Sequence, residues 1–213
     1  MVIDKSVFLK KESTALLCQY YEGNREAVWQ NYARSIALLL SENKKTLDQI
    51  NYQAIQNLLD RIALARKIFV TGEGRSGLVT RMFAMRLMHL GYQVYVVGET
   101  TTPPVKCDDL LIACSGSGST GNTCHIASES KKVGARVVCI TTQINSSLAT
   151  ISNLIVEVEA APKYPQINQE SKQFAGSLFE QTALLLFDTI FYLLSQQLDK
   201  SNQTLWDFHA NLE

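Results

Sequence analysis

The spacing of apolar positions changes near residue 66. Before it, Leu16, Leu17, Tyr20 and Tyr21 recur at helical intervals, as do Ile55, Leu58, Leu59 and Ile62. This stretch has no proline and one glycine, Gly23, and predicts two or three helices. After it come short apolar runs that read as strands: Lys67–Thr71, Gln93–Val97, Asp109–Cys114, Ala135–Thr141 and Asn153–Val158. Helical patterns separate them at Ser76–Leu90, Gly121–Val133 and Ser146–Ile151. The first of these is apolar nearly all round (Leu78, Val79, Met82, Phe83, Met85, Leu87), which predicts burial. A polar loop with Pro162 and Pro165 precedes a long apolar helix over Ser177–Leu198. Strands alternating with helices imply an α/β fold of three layers, with a five-stranded parallel sheet covered on both faces. The expected order is the flavodoxin-like 2-1-3-4-5. The expected organisation is a helical segment, 1–66, packed on a main domain, 67–213.

Composition narrows the class. Of 213 residues, 46% are hydrophobic, which excludes general disorder. Twenty basic and twenty acidic residues cancel, so a dedicated nucleic-acid binder is not expected. Charged residues are only 19% of the chain, against a usual value of about 25%, which suggests surface buried against a partner chain. The longest apolar stretch, Ala183–Leu194, is interrupted by Asp188 and falls short of the roughly twenty residues of a membrane span. The N-terminus shows no signal-peptide core, and five cysteines without a C-x-x-C pair support neither a disulfide scaffold nor a zinc cluster. The expectation is a cytoplasmic protein with reduced thiols and no metal.

Glycine placement points to the chemistry. Six of eleven glycines fall in 72–77 and 116–121, each following a strand and opening a helix. The first loop, Gly72-Glu73-Gly74-Arg75-Ser76-Gly77, matches the dinucleotide pattern, but its acidic partner could only be Glu99, which comes late. The second, Ser115-Gly116-Ser117-Gly118-Ser119-Thr120, places four hydroxyls and two glycines at a helix start, suited to a phosphate group. No Walker lysine follows. In the expected strand order both loops meet at one crevice, where the second would hold a phosphate and the first would bring Arg75 and Ser76. A dinucleotide reading leaves the second loop unexplained.

Gly72-Glu73-Gly74-Arg75-Ser76-Gly77-Leu78, Phe83-Ala84-Met85-Arg86-Leu87-Met88-His89-Leu90-Gly91, Val97-Gly98-Glu99-Thr100 and Ser115-Gly116-Ser117-Gly118 together resemble the 6-phospho-3-hexuloisomerase family of sugar isomerase (SIS) domains. Gly176–Thr182 and His209–Glu213 resemble its C-terminal motifs. The resemblance runs from about Ile68 to the end. It implies interconversion of 3-hexulose 6-phosphate and fructose 6-phosphate, without metal or organic cofactor, in a homo-oligomer, usually a tetramer. It also implies that Ser76 and Ser115–Thr120 (Ser115, Gly116, Ser117, Gly118, Ser119, Thr120) bind the phosphosugar. It makes Glu180 the proton acceptor. The family commonly has Glu where this chain has Ser119, and a proline-containing turn where this chain has Lys172–Ala175.

Moving a carbonyl from C3 to C2 takes a proton from C2 and returns one at C3, which a single desolvated carboxylate can do. Glu180, flanked by Leu178, Phe179, Ala183 and Leu184, fits that task. Ser177-x-x-Glu180 is equally a capping box, in which the glutamate would only satisfy helix N–H groups. His209 is a candidate acid, in its own or a neighbouring subunit's site, or a packing residue. Arg75 is a candidate for charge neutralisation or a solvated helix-start arginine. A sugar-phosphate sensor that binds without turnover is the alternative function.

Overall fold

The computed structural model describes residues 25–160 and 171–211. The predictions on Leu16, Leu17, Tyr20, Tyr21 and the loop of Pro162 and Pro165 lie outside the described residues, as do Leu212 and Glu213. The chain divides into two units, 1–41 and 42–213. In the first, the described residues belong to helix α1 (Arg25–Asp48), where Trp29 and Tyr32 stack at 5.2 Å. The last turns of α1 open the second unit.

That unit continues with α2 (Tyr52–Leu64), β1 (Ile68–Gly72), α3 (Gly74–His89), β2 (Val94–Val96) and β3 (Leu110–Cys114). It ends with α4 (Gly121–Lys132), β4 (Arg136–Thr141), α5 (Ser147–Ile151), β5 (Leu154–Glu157), α6 (Ser177–Gln197) and α7 (Asn202–Trp206). All strand pairs are parallel and the order is β2-β1-β3-β4-β5. The expected topology is therefore observed, with element ends within two residues of the sequence reading.

Strand side chains alternate between two cores, as a period of two requires. Ile68, Val70, Leu110, Ile112, Val138, Ile140 and Val156 face α2, α3 and α6. Phe69, Leu111, Ala113, Val137 and Cys139 face the layer of α4 and α5. Because both faces are covered, β3 is buried along its whole length, and its sequence reads as a continuous apolar run. Helix α6 is long and apolar enough by composition to cross a membrane. It instead packs Phe179, Ala183, Leu186, Phe187, Ile190 and Leu194 into the first core. Its Phe187 lies on Phe83 of α3 with ring centroids 4.2 Å apart, an arrangement worth about 0.5–1.5 kcal/mol beyond area burial.

The second unit is also tied together by polar groups. The Glu42 carboxylate accepts hydrogen bonds from the Lys172 N–H (3.0 Å), Ser171 Oγ (2.8 Å) and Gln173 Nε2 (2.9 Å). Partial burial raises its pKa, but these bonds and the nearby Lys172 charge outweigh that and hold it below the usual value. A depressed carboxylate contributes stability above its unfolded pKa of 4.5 and loses it as pH falls through the lower folded value. Wild type should accordingly melt above Glu42→Gln at pH 7, and the gap should close below about pH 4.5. Thermal midpoints of both proteins from pH 7 to 3 check this; a gap that is constant with pH refutes it.

Candidate active site

The register of the central strands builds the site. Gly72 of β1 lies opposite Cys114 of β3, so both glycine loops leave adjacent strands at the same edge. The Gly77 position faces the Gly72 carbonyl so closely that a Cβ would sit 2.5 Å from its oxygen, and a glycine is required there. That contact seats the start of α3 beside the carboxyl end of β1. A cavity of about 620 Å³ opens above this edge, within the range of small-molecule pockets. It is lined by the beginnings of three helices: Glu73–Ser76 of α3, Thr120 before α4, and Gly176–Glu180 of α6.

None of these three helix starts has a side-chain cap. Glu73 instead accepts from Asn122 Nδ2 at 2.7 Å, which ties the two loops together. Thr120 places its hydroxyl 2.9 Å from Ser115 Oγ, and Gly176 has no side chain to cap with. Helices α2, α5 and α7, which start away from the cavity, are capped by Asn51, Ser146 and Ser201. The uncapped starts leave N–H groups free and carry about half a positive charge each. In the second loop the N–H groups of Gly116, Ser117 and Thr120 have no acceptor among the described residues. The cavity is a place for an anion.

Two carboxylates line this cavity: Glu73, bonded to Asn122, and Glu180. The helix of Glu180 begins with Gly176 as N-cap, so Ser177 is the first helical residue and Ser177-x-x-Glu180 is not a capping box. The Glu180 side chain is 17% exposed and pairs with the half-exposed guanidinium of Arg75 across the cavity. Cys114 also lines the cavity; burial, Glu180 and Cys139 push its thiol far up, so it stays protonated and is no nucleophile.

Of the residues read from the sequence, Arg75, Ser76, Ser115, Gly116, Ser117, Thr120 and Glu180 meet at the cavity. Gly118 and Ser119 do not line it. Gly118 has φ +59° and turns its carbonyl to the Leu148 N–H at 2.9 Å, and a Cβ there would lie 2.0 Å from Ser146 Oγ. It is the pivot of the loop, and Ser119 points to Ser117 Oγ (3.2 Å). Glu99 is paired with Arg81, away from the cavity lining. His209 stacks on His89 at 5.4 Å and against Trp206. His89 ends α3 and Arg75 begins it, so His209 stands roughly 20 Å from the Arg75–Glu180 pair of its own chain. Burial, then the charges of His209 and Arg86, hold the His89 pKa below its usual value.

The sequence reading missed Glu73, Thr142, Phe174 and Ala175 on the cavity wall. Thr142 was accessible to topology, since it follows β4, the next strand at the same edge; its Oγ1 donates to the Gly116 carbonyl at 2.8 Å. Phe174 and Ala175 lie in the loop before α6, where no periodic pattern indicates which side chains meet the cavity.

Residues 61–185 match the SIS domain family. The 3-hexulose-6-phosphate isomerase of Mycobacterium gastri is 38% identical over 192 residues, covering 90% of this chain and 96% of that one. The enzyme of the same name from Bacillus subtilis strain 168 is 38% identical over 180 residues, covering 84% and 97%. A solved structure from Methanococcus jannaschii, for which a 3-hexulose-6-phosphate isomerase function was inferred, superposes with TM-score 0.73 at 32% identity, covering 84% and 99%.

If the second loop is an anion cradle, Ser117→Ala should weaken binding of inorganic phosphate several-fold, in keeping with about 1 kcal/mol for a hydrogen bond. Titration calorimetry reads this. Unchanged affinity would place the anion elsewhere.

Proposed function

The chain belongs to the SIS-domain family and groups within it with the 3-hexulose-6-phosphate isomerases, and from that premise we propose that it interconverts 3-hexulose 6-phosphate and fructose 6-phosphate through an enediolate, with Glu180 as proton acceptor. The carrying observation is Glu180 of α6, placed opposite Arg75 at a cavity rimmed by three uncapped helix starts. The phosphate sits among Ser115, Ser117, Thr120 and the loop N–H groups, with Ser76 beside it. Glu180 removes the C2 proton, the electrons pass into a C2=C3 enediolate, the O2 hydroxyl proton passes to the neighbouring O3, and the same carboxyl returns a proton to C3 as the C2 carbonyl forms. The reverse direction begins at C3. A carboxyl that keeps the proton it has taken can deliver it to the adjacent carbon, so one group can serve both steps.

In the ligand-free protein Arg75 holds Glu180. That pair is exposed on the arginine side, so an incoming anion can reach the guanidinium and displace it. Arg75 then turns to the phosphate or to the enediolate oxygen and leaves the base unpaired. The chemistry as drawn needs no organic cofactor or metal.

The sensor reading draws on Ser119, where the family commonly has a glutamate. Ser119 lies off the cavity wall, which weakens that argument. Leu78, Met82 and Met85 form an exposed apolar row along α3, in keeping with a homo-oligomer, for which we favour a tetramer. A cytoplasmic location accords with a phosphorylated substrate and with the free thiols Cys107, Cys114, Cys124 and Cys139. His209, remote from its own cavity, is assigned to the site of a neighbouring subunit.

Fructose 6-phosphate supplied to the wild type should yield 3-hexulose 6-phosphate, and Glu180→Gln should lose about a hundredfold or more in kcat while still binding the sugar phosphate. Binding without turnover in the wild type would turn the assignment to the sensor. Mixing inactive Glu180→Gln with inactive His209→Asn subunits should restore part of the activity if His209 works across the interface. No recovery after verified subunit exchange removes it from that role.

A further inference from the structure

We propose that Glu42 and Asn43, on α1, position Glu180 by clamping both ends of the segment that carries it. The Glu42 carboxylate gathers Ser171, the Lys172 N–H and Gln173. Asn43, buried beside it, donates from Nδ2 to Gln181 Oε1 (2.7 Å) and accepts from Thr182 Oγ1 at Oδ1 (2.9 Å). These ties fall at 171–173 and at 181–182. Between them lies the α6 side of the cavity: Phe174, Ala175, Gly176, Ser177, Phe179 and Glu180. Neither Glu42 nor Asn43 lines the cavity, so their effect passes through this segment.

Two features show why the segment needs holding. Ala175 has φ +50°, a left-handed conformation that is unfavourable for a non-glycine residue and persists only under external constraint. Glu180 lies in the first turn of α6, where no side-chain cap fixes the helix start. Successive helical residues are about 100° apart, so Thr182 sits roughly opposite Glu180 on the same turn. Asn43 grips the back of the turn whose front presents the carboxylate. A rotation of that turn by a fraction of an ångström at the backbone would displace the carboxylate from a C2 proton.

This inference rests on the reading of Glu180 as the base. The test measures kcat and KM for fructose 6-phosphate, per folded subunit, in Glu42→Ala, Glu42→Gln, Asn43→Ala and Glu180→Gln. The clamp predicts that Glu42→Ala and Asn43→Ala each lose about tenfold to a hundredfold in kcat with KM little changed. Glu42→Gln, which keeps an acceptor oxygen, should recover part of the loss. A purely structural role would lower the melting midpoint and leave kcat per folded subunit unchanged. That result, with Glu180→Gln inactive, overturns the clamp and leaves the base standing. Full turnover in Glu180→Gln overturns both. Should Glu42→Ala or Asn43→Ala fail to fold, Ser171→Ala and Gln181→Ala each remove one tie and carry the same kcat criterion.

Discussion

The pairing of β1 with β3 is the constraint on which the rest depends. Five residues of each strand are in register, from Ile68 beside Leu110 to Gly72 beside Cys114. Both strands are buried, so a slip of one residue would turn Ile68 and Val70 out of one core and Phe69 into it. The register is therefore held by burial on two faces at once. Its consequence is chemical: two loops distant in sequence leave the sheet at the same height and enclose one cavity.

What the cavity can hold follows from how three helices begin. A helix start that lacks a cap is a cost unless something else supplies acceptors. Here the three uncapped starts face one space, and the three capped ones do not. The net charge of zero is consistent with this arrangement, since the cavity offers N–H groups, hydroxyls and one arginine rather than a basic surface. The same electrostatics places Glu180 in an unusual position. It is a carboxylate at a helix start, where it is favourable, and it also lines a cavity whose other groups suit an anion. Its pairing with Arg75 reconciles the two until a ligand arrives.

The strands were legible because buried parallel strands read as short apolar runs between glycine-rich turns, and each of the five was found within two residues of its place. The glycine loops were legible for a steric reason, visible at Gly77, where no Cβ fits, and at Gly118, where φ is positive. Legibility stopped at side-chain direction. Ser117 and Ser119 are equivalent in sequence, yet one lines the cavity and the other does not, because the turn at Gly118 separates them. Ser177 and Glu180 satisfied a capping pattern that the actual helix start, one residue earlier, does not form. His209 belongs to a motif that suggests catalysis but sits beside His89 at the far end of α3.

By itself, then, the sequence determined the α/β class, the strand order and the two phosphate-suited loops, since these depend on local periodicity and on glycine sterics. Tertiary structure decided which hydroxyls line the cavity, that Glu180 meets Arg75, and that Glu42 and Asn43 of α1 bond to the segment carrying the carboxylate. Those contacts join residues more than a hundred positions apart. No local pattern records them, because they exist only once the sheet and its flanking helices have brought the partners within hydrogen-bonding distance.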